Sequence, residues 1–71
     1  MENKQEICKA LLPVLQKTRN LSDIVDLRYY RDEGRDEEIV VAKFANGATK
    51  KANVHLDSGT AMIMDIIRQI V

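Results

Sequence analysis

The run Ile39-Val40-Val41-Ala42-Lys43-Phe44-Ala45-Asn46-Gly47-Ala48-Thr49-Lys50-Lys51-Ala52-Asn53-Val54 decides the fold. Residues 39–44 are rich in β-branched types that suit a pleated strand. Asn46-Gly47 is the strongest short hairpin signal a sequence offers, and residues 49–55 read as the returning strand. Two registers are open. A two-residue turn opposes Val41 to Ala52 and turns Phe44 away with Val40. A three-residue loop, Ala45-Asn46-Gly47 with Gly47 as a bulge, opposes Phe44 to Ala48 and Val40 to Ala52. The choice matters because a slip of one residue exchanges the faces of a strand. The bulged form is expected, since it places the only Phe in the core with Val40, Ala42 and Val54, a burial worth about 1.5–3 kcal/mol. Tyr30, Ile39 and Val41 are then the candidates for the outer face of the sheet.

Upstream, residues 24–30 alternate with period two. Val25, Leu27 and Tyr29 fall on one face and Asp26 and Arg28 on the other, the pattern of a half-buried strand. Residues 31–36 form a charged turn around Gly34. The acidic run that continues through Glu38 reads as a solvated hairpin loop, because it lacks the alternating ligand spacing of a calcium loop and Arg35 interrupts it.

Helices flank the strands. From residue 3 to about 19, Ile7, Leu11, Leu12 and Leu15 recur at helical spacing, and Asn3 with Glu6 resembles a capping box. Pro13 either kinks this helix or breaks it near Leu12. Asn20 suits a left-handed residue that closes it. Downstream, Asp57-Ser58-Gly59-Thr60 starts a second helix, with Asp57 or Ser58 as the cap. In that helix Ile63, Met64, Ile66, Ile67, Ile70 and Val71 span an arc of roughly 160°, with Met62 at its edge. A helix lying on a small sheet needs only about 100°. The surplus is expected to pack against the first helix, or else to form a self-association or partner groove.

The order is α-β-β-β-α, and the expected fold is α+β: a single small domain over residues 1–71, an antiparallel three-stranded meander with two helices packed on one face. A chain of 71 residues, 45% hydrophobic and 31% charged, suits one globular core. Eleven Lys and Arg balance eleven Asp and Glu, which weakens the case for a dedicated nucleic-acid binder. The balance is uneven along the chain: net +2 over residues 1–19, −4 over 20–42, +3 over 43–56 and −1 over 57–71. Cys8 stands alone and suits a reducing compartment. No signal peptide or membrane span is visible, since Lys9 and Pro13 break the first apolar cluster, and the expected location is cytoplasmic.

No reactive constellation stands out. His55, Asp57 and Ser58 are the letters of a triad, but near-adjacent residues do not converge as a triad must. They read as a strand-end His and a helix cap. Cys8 reads as a packing residue in an apolar helix. One His and one Cys fall short of a zinc site. Asn20-Leu21-Ser22 matches a glycosylation acceptor only by chance in a chain without a secretion signal.

The α-β-β-β-α order resembles that of double-stranded-RNA-binding domains. The likeness is topological only: Lys50-Lys51-Ala52 lies in the third strand, and Asp57-Ser58-Gly59-Thr60 offers no basic group at the last helix. More closely, Leu11-Leu12-Pro13-Val14-Leu15, Phe44-Ala45-Asn46-Gly47 and Asn53-Val54-His55-Leu56-Asp57-Ser58-Gly59-Thr60-Ala61-Met62-Ile63 resemble short proteins of unknown function from Gram-positive anaerobic bacteria and their mobile elements. That resemblance implies a bacterial cytoplasmic accessory protein and no particular activity.

The sequence therefore points to a small non-enzymatic protein-interaction module, an adaptor or regulator capable of homodimerising. Its candidate interface is Tyr30, Ile39, Val41, Met62 and Met64, with no cofactor, metal, membrane or small-molecule substrate implied. The alternative is a nucleic-acid-binding accessory protein that uses Arg28, Lys43, Lys50 and Lys51.

Overall fold

The computed structural model describes residues 3–70. Asn3 caps the first helix, α1 (Lys4–Gln16), by accepting the Glu6 N–H at 3.1 Å. Pro13 lies inside α1, and the helix runs through it unbroken. Lys9, whose carbonyl loses its helical donor to the proline ring, is exposed to water that can replace it. The helix ends at Gln16 rather than near Asn20. The Thr18 N–H and hydroxyl both donate to the Leu15 carbonyl and close the last turn early, so no left-handed Asn20 is required.

The strands are β1 (Ile24–Asp32), β2 (Glu37–Phe44) and β3 (Thr49–Asn53), antiparallel in the order β1-β2-β3. The bulged hairpin register is the observed one. Val40 opposes Ala52, the Phe44 N–H donates to Ala48, and Gly47 adopts a φ of 89° that favours glycine. Phe44 is buried with Val40, Ala42 and Val54. In β1 the simple alternation fails at its start. The register shifts between Ile24 and Asp26, so Ile24 enters the core and Val25 is turned out to solvent.

The second long helix, α2 (Gly59–Ile70), is capped by Ser58, whose hydroxyl accepts the Ala61 N–H at 3.2 Å. It buries Gly59, Met62, Ile66 and Ile70. Met62 thus belongs to the buried stripe and is fully enclosed. Met64 and Ile67 are 55% and 46% exposed, so the surplus apolar surface is not taken up by α1. Spacing alone could not choose between two stripes on a helix that is apolar most of the way round. Val71, assigned to the same arc, lies outside the described residues.

α1 packs on β1 and α2 on β3, and one continuous core holds Cys8 and Leu15 of α1, the inward residues of the three strands, and Met62, Ile66 and Ile70 of α2. Both helices therefore cover the same sheet face, the one bearing Leu27, Val40, Ala42 and Ala52. No helix of the described residues is long and apolar enough to cross a membrane.

Candidate functional site

Two arrangements of side chains stand out, one on each face of the sheet. On the helix-covered face lies a polar knot around Glu38. The sequence suggests a solvated loop there, but Glu37 and Glu38 open β2, and Glu38 is buried. Period two places it on the same face as Val40, and the hairpin positions it beside the turn that follows β3. Its carboxylate accepts from Lys4 Nζ at 2.6 Å, the Tyr29 hydroxyl at 2.5 Å and the Leu56 N–H at 2.9 Å. These bonds hold its pKa down at about 2. Burial and the same contact push the Tyr29 hydroxyl up to about 12, so it remains a donor.

His55 Nδ1 sits 3.7 Å from Glu38, and His55 Nε2 lies 3.9 Å from Asp36. Asp57 faces Asp65, which together with burial raises its pKa. Ser58 turns back to cap α2. His55, Asp57 and Ser58 thus point to three different partners. Leu56, held with φ at 62° and 81% exposed, takes a left-handed conformation uncommon for its type, and its N–H reaches Glu38 from there. A carboxylate saturated by three donors and kept ionised is suited to tying segments together rather than to exchanging protons. Cys8 is fully enclosed in the core, and burial raises its thiol to about 11, which suits packing rather than nucleophilic chemistry. Among the described residues no three His, Cys, Asp or Glu side chains are grouped to hold a metal.

On the opposite face no helix covers the sheet. Cross-strand pairing lays out four rows: Asp32 with Glu37, Tyr30 with Ile39 and Asn53, Arg28 with Val41 and Lys51, and Asp26 with Lys43 and Thr49. Tyr30, Ile39 and Val41 therefore adjoin one another at the centre, with Tyr30 48% exposed and the other two half-buried. Beside them Asp26, Arg28, Tyr30, Val41, Lys43 and Thr49 line a shallow depression of about 300 Å³. One end of this face carries Asp32 and Glu37, and the other carries Lys43 and Lys51 beside the Asp26–Arg28 ion pair.

The remaining expected site residues do not join this patch. Met62 is in the core, where its side chain fills the space between α2 and the sheet, and so is withdrawn from any surface. Met64 is exposed on the outward side of α2, with Ile67 and Arg68 around a separate hollow. Of the basic set, Lys50 lies on the helix face because it opposes the inward Ala42. It donates to the Ile70 carbonyl at 3.2 Å, and its ammonium lies 5.9 Å from the Phe44 ring centre. Arg28 is engaged by Asp26 at 2.6 Å. Lys43 and Lys51 remain on the outer face, and neither forms an ion pair among the described residues.

Two glutamines that sequence reasoning passed over each engage the backbone of one edge residue of the sheet. Gln5 of α1 accepts the outward Tyr29 N–H of β1 at 3.0 Å. Gln69 of α2 accepts the Asn53 N–H and donates to the Asn53 carbonyl, replacing a neighbouring strand at that residue of β3. The available signal was slight: a polar residue on each helix, at a position only the tertiary fold brings to an edge.

No protein-family model matches this chain, and neither a curated protein nor a solved structure was found to match it.

Proposed function

We propose that this chain is a small non-enzymatic interaction module that binds protein through the outer face of its sheet. The observation that carries the reading is the contiguous Tyr30–Ile39–Val41 patch on a face that neither helix covers. Apolar side chains grouped at the centre of a polar, charged rim are the ordinary anatomy of a binding surface. The glutamine contacts at Tyr29 and Asn53 support the same choice, because each hinders strand addition at its edge and so favours association through a face. The resemblance to short bacterial proteins favours a cytoplasmic accessory role. The nucleic-acid alternative is weakened by the engagement of Lys50 and Arg28 and by the acidic end of the same face.

The test compares wild-type protein with the Tyr30→Ser/Ile39→Ser double variant as immobilised baits, after circular dichroism has shown both to be folded. The reading expects at least one bound protein, a second copy of the chain included, to be lost from the variant. Identical captured sets from both baits would overturn it.

A further inference from the structure

We propose that the partner of the outer face is a second copy of this chain, packed face to face with its strands running antiparallel to those of the first. The proposal rests on reading that face as a protein-binding surface, and it adds the identity and orientation of the occupant.

The argument is charge complementarity along β2. At one end of the outer face Asp32 and Glu37 stand directly opposite each other on neighbouring strands, a like-charge cross-strand pair that destabilises an isolated sheet. Asp32 is partly satisfied by the Gly34 and Arg35 N–H groups, whereas Glu37 forms no ion pair among the described residues. At the other end Lys43 stands opposite Asp26, which is paired with Arg28 instead, and neither Lys43 nor Lys51 forms an ion pair among the described residues. The Ile39 and Val41 side chains lie between the two ends.

Consider a two-fold axis lying between two such faces and perpendicular to the strands. It reverses the rows while keeping β2 over β2. Ile39 then meets Val41 of the second copy, and Glu37 meets Lys43 of the second copy, each contact occurring twice. Over β1 Asp32 meets Asp26, whose charge the Arg28 guanidinium already offsets at 2.6 Å. A two-fold axis parallel to the strands would instead place acid on acid, which like-charge repulsion disfavours. Aligned sheets cross at about 30°, a displacement that long Glu and Lys side chains can follow. Three strands and the seven residues from 26 to 32 give a footprint of roughly 15 by 20 Å. That is below the ~800 Å² per partner of a standard interface, so the dimer is reversible and concentration-dependent.

The experiment is a charge exchange read by sedimentation velocity at low salt, over a concentration series reaching about 1 mM. Glu37→Lys and Lys43→Glu each place like charges against one another in the homodimer, and each is expected to weaken self-association by about tenfold or more. Mixed one to one, the two variants restore complementary contacts in both places and are expected to associate at least as well as wild type. A wild-type dilution series followed by methyl NMR keeps the test independent of the variants: Ile39 and Val41 methyls should shift with concentration while Ile67 methyls stay fixed.

A wild type that remains monomeric with unmoving methyls would overturn the proposal. So would variants that self-associate as well as wild type, or a mixture that fails to recover. In each of these cases the bait comparison above judges separately whether the face binds some other protein.

Discussion

Glu38 receives donors from residues 4, 29 and 56, so its removal would strand a buried hydroxyl, a backbone N–H and an ammonium together. Glu38→Ala is expected to cost about 2–4 kcal/mol in urea unfolding at neutral pH, since each orphaned donor keeps its desolvation penalty. The pH dependence has a definite sign. A carboxylate whose pKa falls from the ordinary 4.5 to about 2 on folding adds stability that is complete above 4.5 and drains away as the pH falls toward 2. Asp57 acts in the opposite sense, because its raised pKa favours the folded state as protons are added. Unfolding midpoints measured from pH 7 to pH 2 should therefore fall less steeply in Glu38→Gln than in wild type. Nothing local in the sequence identified this residue. Glu38 ends a stretch of five acidic residues with Gly34 and Arg35 over positions 32–38, and only the strand's phase, set by Val40 two residues later, turns it inward.

At the level of elements, legibility followed the strength of the short-range signal. The Asn46-Gly47 turn fixed the hairpin because a single backbone conformation and the burial of Phe44 agreed on one register. Asn3 and Ser58 could be read as caps because their side chains bond three residues away. Val25 was misplaced, since the pairing shift between Ile24 and Asp26 depends on where β1 meets β2. Met62 was misplaced because a helix with two apolar stripes carries no internal mark of which one meets the sheet. Paired substitutions measure that last distinction. Met62→Ala should cost about 2–5 kcal/mol as a buried truncation, and Met64→Ala no more than about 0.5 kcal/mol as a surface one. Thermal melts of the two variants provide the comparison. The edge clamp is a further element-scale device: Gln69→Leu should speed amide hydrogen exchange at Asn53, whose N–H loses its acceptor, while leaving Ala52 protected within the hairpin.

For the whole molecule, the division of labour follows the two sheet faces. One face holds the core and the Glu38 knot that joins α1, β1 and the turn before α2. The other presents an apolar centre between opposite charges. The face itself followed from the hairpin register, so Tyr30, Ile39 and Val41 were legible as neighbours. The absence of Met62 from it was not, because that depends on how α2 lies on β3, whereas the same register already sends Lys50, opposite Ala42, to the helix face. The glutamine clamps carry a consequence for the size of any assembly. Joining sheets edge to edge is a head-to-tail process: each copy added brings a fresh edge, and growth has no natural end. Two faces that meet across a two-fold axis consume each other and leave nothing to extend. By occupying backbone groups on both outer strands, Gln5 and Gln69 bias this chain away from open-ended polymers and toward closed, countable complexes.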